Sequence, residues 1–193
     1  MGFSGMFCLV PLKAEAALRY APELGPAIEA EAALPASRDL LRWWQEKGST
    51  GETMDRFVDA AGPSVLDERI CLVYAAWERG HDASLPHLGV CIRKRHPAAA
   101  LAFALGPLRC SALPGWFGDV ILTPEDVVRT LPAVERAFTW TTEARRRAEL
   151  LLSAALGTEG SQEDIDTLLD GIPPVWRAAA EAGRGLLGAQ FVP

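Results

Sequence analysis

Histidine and cysteine are the side chains that Zn²⁺ prefers, and several potential ligands fall close together in this chain: His81, Asp82, His87, Cys91 and His96. Their spacing matches no zinc ligand pattern. His81 and His87 flank a loop, Cys91 sits in a strand-like run, and His96 precedes a proline. No metal site and no cofactor are expected. Nucleophile motifs fare no better. Gly2-Phe3-Ser4-Gly5 sets a serine between glycines without the G-x-S-x-G spacing, and it stands before a strand instead of after one. Cys110-Ser111 lacks a recognisable Cys/His signature. Gly157 and Gly160 precede Ser161 and a helix start that could offer amides to an anion, but no lysine holds the P-loop position, and helix termination explains the glycines.

The carboxylate pairs Asp67/Glu68, Glu125/Asp126 and Glu163/Asp164 each fall in the first turn of a predicted helix, where the helix dipole favours negative charge without any catalytic role. Arg93-Lys94-Arg95 and Arg145-Arg146-Arg147 are the basic runs. Consecutive helical residues point about 100° apart, so the second run forms no single patch, and both read as solvated surface. No residue is assigned a catalytic role.

Aromatic residues carry the remaining signal. The chain has 6 tryptophans, and Trp116 lies in the turn Pro114-Gly115-Trp116-Phe117-Gly118, where a large ring need not be fully buried. Trp43 and Trp44 cannot both face one direction on a helix. The candidate binding residues are therefore Trp116, Phe117, Trp77, His81 and His87. The expected function is a non-enzymatic binding or protein-interaction module, of the kind that neutralises or holds a protein partner or takes a small ligand. The alternative is a small-molecule enzyme with a pocket near His81, His87 and Trp116.

The bulk composition narrows the classes further. At 193 residues and 49% hydrophobic content the chain can bury one continuous core, and residues 1–193 read as a single domain. With 19 Lys+Arg against 25 Asp+Glu the net charge is -6, which opposes attraction to phosphate backbones and argues against nucleic acid as a partner. No apolar run reaches the roughly 20 residues that span a bilayer. The N-terminus lacks the basic segment of a secretory signal, so a soluble, cytoplasmic, acidic protein is expected. Cys8, Cys71, Cys91 and Cys110 form no C-x-x-C pair and read as reduced, buried thiols.

The elements that must position these residues follow from hydrophobic spacing. The residues up to Val10 read as a buried strand ended by Pro11, and Lys13 to Tyr20 as a short helix stopped by Pro22. Ser37 can cap a helix carrying Leu40, Leu41, Trp43 and Trp44. Glu52 to Ala61 is helical up to Gly62-Pro63, and Ser64 with Asp67 approximates a capping box for the helix that ends at Gly80. Leu88 to Arg93 is strand-like, Pro97 opens the apolar helix Ala98 to Leu105, and Leu108 to Trp116 is turn-rich. Asp119 to Leu122 is a short strand before the strong helix start Thr123-Pro124-Glu125-Asp126, whose helix Pro132 must bend or break. Thr142 to Leu156 is helical, Ser161 caps a last helical region kinked or restarted at Pro173-Pro174, and Leu186 to Val192 closes the chain as a strand. The expected fold is α+β: a small mixed β-sheet including both chain termini, covered by several amphipathic helices.

The same segments carry a resemblance. Met1-Gly2-Phe3-Ser4-Gly5-Met6-Phe7 resembles the short N-terminal Met-Gly-x-x-Gly strand of the YfbM-like family, a bacterial domain of unknown function. Ser64 to Arg69 resembles that family's Leu/Ile-Asp-Lys-x-Trp helix start, and Val120 to Val127 is similar to its Leu-Thr-Pro-Glu-Glu-Val segment. Trp176-Arg177-Ala178-Ala179-Ala180 is similar to its aromatic-rich last helix. The four segments occur in family order across nearly the whole chain. Ile70-Cys71 stands where the family has a tryptophan, and its Tyr-Pro segment before the last helix is missing. The resemblance implies an α+β fold and brings no reaction, cofactor or catalytic residue.

Overall fold

The computed structural model describes residues 4–192, so the first three residues of the expected opening strand, and Pro193, lie outside the described residues. Among the described residues, one 4-stranded sheet forms from β1 Ser4–Leu12, β2 Leu88–Arg93, β3 Val120–Leu122 and β4 Gly185–Phe191, in the order β2-β1-β4-β3. Both terminal strands belong to it: β1 runs beside β4 from Met6↔Phe191 to Leu12↔Gly185. The expectation of a mixed sheet is corrected here, because all three ladders are antiparallel.

The burial of each strand explains its sequence. β1 lies between two neighbours and is covered on both faces, so Phe7, Cys8, Leu9 and Val10 are all buried and the run shows no alternation. Edge strand β2 alternates cleanly, with Leu88, Val90 and Ile92 buried and Gly89, Cys91 and Arg93 exposed. β1 continues through Pro11 to Leu12: its ladder with β2 ends at Leu9, and beyond it the Pro11 carbonyl accepts from the Asp82 N–H at 3.0 Å and Leu12 bridges to His81, so no β2 ladder bond depends on the missing Pro11 N–H.

Helix α1, Ala14–Ala33, and helix α4, Ile70–Gly80, cover one face of the sheet. A Cβ on Gly80 would stand 2.6 Å from the Cβ of Ala16, and one on Gly185 would overlap that of Ala17, so small residues set how closely α1 approaches α4 and β4. Helix α5, Pro97–Leu105, and helix α10, Ile172–Glu181, lie against the other face. Around them stand α2 Pro35–Lys47, α3 Gly51–Ala61, α6 Pro107–Cys110, α7 Pro124–Ala137, α8 Thr142–Leu156 and α9 Gln162–Asp170. Among the described residues no helix is long and apolar enough to cross a membrane.

Several helix boundaries differ from those read in the sequence, each for a physical reason. α1 continues unbroken past Pro22 and Pro26, and α7 past Pro132. These prolines are exposed, the carbonyls they release face water, and the core residues Ala17, Tyr20, Leu24 and Ile28 hold α1 continuous on the sheet. Ser37 does not cap α2, which opens at Pro35; its hydroxyl donates to Glu31 at 3.0 Å. Ser64 accepts from the Leu66 N–H at 3.0 Å, and a 3₁₀ turn over Asp67–Arg69 precedes α4. Thr123/Asp126 and Ser161/Asp164 form reciprocal capping boxes. The last helical region restarts at Gly171, and α9 and α10 bury Ile165, Leu168 and Leu169 and Ile172, Val175 and Trp176 respectively. The thiols are free, but they are not uniformly buried as expected: Cys8 is buried outright and Cys110 only in part. Cys71 and Cys91 are exposed, because they occupy the solvent faces of α4 and edge strand β2.

Candidate functional site

A largely apolar cavity of about 260 Å³ opens between α5, the α6 to β3 segment, and the face of β1 that carries Phe7 and Leu9. α5 turns Ala98, Leu101 and Ala102 toward it; all nine α5 residues are buried, which accounts for the unbroken apolar sequence from Pro97 to Leu105. Leu41 and Trp44 of α2 close one side, and Trp176 of α10 closes another. The lining residues Gln45, Ser111 and Gly115 are exposed and mark the mouth.

The wall nearest the sheet is a tight turn. Trp116 and Asp119 exchange two backbone hydrogen bonds of 2.9 Å, leaving Phe117 and Gly118 at its tip with φ of 43° and 101°. Positive φ at both central residues is what a two-residue hairpin loop with right-handed strand twist demands. Glycine fits that demand, and at Gly118 no other residue would, since a Cβ would meet that of Ala98 at 2.6 Å and the Phe7 ring at 3.0 Å. Phe117 adopts the strained conformation because its ring is locked among Trp116, Trp44 and Phe57, at centroid distances of 4.4, 6.1 and 5.2 Å.

Behind the turn, polar groups fix its position. The Asp119 carboxylate is 2% exposed and accepts from the Gln190 N–H at 2.9 Å, the Ser64 hydroxyl at 2.7 Å and the Val65 N–H at 3.1 Å. Burial pushes its pKa up to about 7 against the pull of these donors, with the nearby Asp67 adding to the rise. Gln190 accepts from the first amides of α5, Ala98 at 2.8 Å and Ala99 at 3.2 Å, and donates to the Gly62 carbonyl. On the opposite wall the Trp44 indole N–H donates to Ser49 at 3.1 Å, and Ser49 donates to the Phe103 carbonyl at 2.6 Å. These bonds lie within the fold, so the cavity presents mostly hydrocarbon and ring faces.

The candidate residues from the sequence separate into two places. Trp116 and Phe117 line the cavity, each only 8% exposed, so Trp116 is an interior wall and not a surface contact. Trp77, His81 and His87 form a chain of rings elsewhere, Trp77 to His81 at 5.9 Å and His81 to His87 at 5.0 Å, and none of them lines the cavity. His81 sits where it pairs with Leu12, and burial lowers its pKa, with His87 adding to the fall and Asp82 opposing it. Asp82 is bonded to Ser84 and held to Arg184 at 2.8 Å, and these donors hold its carboxyl down at about 2. His96 stands at the start of α5 against Gly62, away from His81. Among the described residues no group of three or more His, Cys, Asp or Glu side chains is placed to hold a metal ion.

A second depression at the start of α8 is bounded by Trp140, Thr141 and Arg145. Arg145 is spent on Glu149, Asp166 and Asp170 at 3.0, 3.2 and 2.8 Å, so it offers no free charge for an anion. Leu41, Leu101, Ala102 and Trp176, missed as site residues in the sequence, have apolar spacing that marks them as core. Nothing in that spacing distinguishes a side chain facing another side chain from one facing a void. Compared with protein-family models, with curated proteins and with solved structures, this chain gives no match.

Proposed function

We propose that this chain is a binding protein for a small apolar molecule, held in the cavity between Trp116, α5 and Trp176. The observation that carries the reading is the cavity itself: a space of about 260 Å³ lined by residues such as Leu101, Leu113 and Trp116. Protein interiors pack with few voids larger than a water molecule, and an apolar void forfeits contacts, so a cavity of this size on a hydrocarbon wall favours a ligand that restores them. A cavity with mostly apolar walls takes apolar guests.

The separation of Trp116 from His81 and His87 gives an enzyme reading built on those residues no support. The buried Trp116 ring likewise gives no support to a surface for a protein partner. Kinship with the YfbM-like family belongs to the same proposal and is supported by the four sequence segments. A reducing, cytoplasmic setting belongs there too, supported by the exposed free thiols Cys71 and Cys91.

The test is thermal unfolding of the full chain in buffer saturated with cyclohexane or toluene. A ligand that binds only the folded state raises the melting temperature, here by about 2 °C or more. Ala102→Leu, which places a larger side chain in the cavity, is expected to abolish the rise. No shift with either compound contradicts the proposal.

A further inference from the structure

Resting on that reading of the cavity, we infer that its ligand is a neutral, flat aromatic molecule of bicyclic size, stacked among Trp44, Trp116, Phe117 and Trp176 and carrying at most one polar group toward Gln45 and Ser111. Three independent features of the wall lead to this class.

Size is the first. A dry cavity of roughly 150 Å³ accommodates benzene. In proportion, a cavity of about 260 Å³ takes about ten non-hydrogen atoms, which excludes sterols and long acyl chains and matches two fused rings.

Charge is the second. Among the described residues, none of the lining side chains is ionised. Cys110 is the lining residue that could become so, and burial of its thiol pushes the pKa up to about 12, leaving it neutral. The indole N–H groups of Trp44 and Trp176 are already donated, to Ser49 at 3.1 Å and to Thr130 at 3.2 Å. A carboxylate or ammonium entering here would lose its hydration without meeting an opposite charge. The polar groups left are the Trp116 indole N–H and, at the mouth, Gln45 and Ser111, whose own hydroxyl already donates to the Leu108 carbonyl at 3.1 Å.

Ring geometry is the third. Trp44, Phe57, Phe117 and Trp116 already form a continuous set of tilted and edge-to-face contacts, with centroids 4.2 to 6.1 Å apart. Such pairs attract beyond their buried area because ring edges and faces carry opposite charge. A planar aromatic guest continues that set, whereas a flexible chain of equal volume loses rotamer freedom and gains no ring contact.

Isothermal titration of the full chain with indole, 1-octanol and indole-3-acetate tests the inference. Indole is expected to bind with a Kd of about 100 µM, 1-octanol about tenfold more weakly, and indole-3-acetate more weakly still. Ser111→Trp, at an exposed position on the mouth, and Ala102→Leu, inside, should each reduce indole affinity by about tenfold or more. The first keeps the test valid if the second fails to fold. Octanol binding as tightly as indole, or indole-3-acetate matching it, overturns the neutral aromatic class while the apolar-ligand reading stands. Indole binding that survives both substitutions places the ligand elsewhere and overturns the site. If none of the three binds, by titration or by a shift in melting temperature, both readings fall.

Discussion

The backbone N–H of Gln190 donates to the Asp119 carboxylate at 2.9 Å, joining the closing strand of the sheet to the turn that carries Trp116 and Phe117. The Gln190 side chain then holds the first amides of α5, so two walls of the cavity are referenced to one residue of β4. Ser64 and Val65 bind the second carboxylate oxygen and bring in the segment before α4. The aromatic wall is therefore positioned by polar bonds behind it, while the cavity in front stays apolar.

The raised pKa of Asp119 makes stability depend on pH. A carboxyl that titrates near 7 in the folded chain and near 4 when unfolded binds more protons folded, so its contribution is fully present below about pH 4. It is lost as pH rises through about 7. Urea midpoints should fall between pH 5 and pH 8, and Asp119→Asn should remove part of that slope. The variant should also lose about 1–3 kcal/mol at pH 5, because its NH2 group must face either the Gln190 N–H or the Val65 N–H and cannot accept from it, whereas either oxygen of the protonated carboxyl still can. A variant with the wild-type slope would show that Asp119 titrates ordinarily.

Two glycines with positive φ separate backbone strain from steric clash. At Gly48, φ is 71° and no atom lies within 4 Å of the place a methyl group would take, so Gly48→Ala should cost about 1 kcal/mol. Gly118, with φ of 101°, would drive a methyl into Ala98 and Phe7, and Gly118→Ala should cost about 3 kcal/mol. Equal losses in urea unfolding would contradict the packing of the turn against α5.

Ser49 bridges the Trp44 indole and the Phe103 carbonyl, both buried. Ser49→Ala should destabilise by about 1–3 kcal/mol by leaving a donor and an acceptor unsatisfied. Loss of the bond should also change Trp44 fluorescence, and an unchanged spectrum in an equally stable variant would refute the bridge.

The prolines show where sequence reasoning stops. Pro22, Pro26 and Pro132 each remove one helical hydrogen bond, which locally argues for a break. The helices continue because the prolines lie on solvent faces while Leu24, Ile28 and Val134 pack into the core, a tertiary effect invisible in local spacing. Pro132→Ala restores a donor to the exposed Val128 carbonyl and should raise stability by about 1 kcal/mol. A loss of stability instead would mean that the Pro132 ring itself is needed for packing.

Other features are legible in the sequence because their chemistry is local. The Thr123 and Ser161 caps, the apolar helix after Pro97 and the two terminal strands each rest on residues within one element. Of the site, Trp116 and Phe117 stand out through their turn. Their partners Leu41, Leu101, Ala102 and Trp176 do not, since they come from separate elements whose convergence depends on the whole sheet. His81 and His87 are close in sequence and close in space, yet they face each other away from the cavity.

The most direct measurement is a crystal of the full chain pressurised with xenon, an apolar atom that reports void space. A xenon peak among Trp116, Leu101 and Trp176, lost in Ala102→Leu, is the expected result. A wild-type crystal with no xenon in that space, its walls collapsed onto one another, would contradict the existence of an apolar binding cavity.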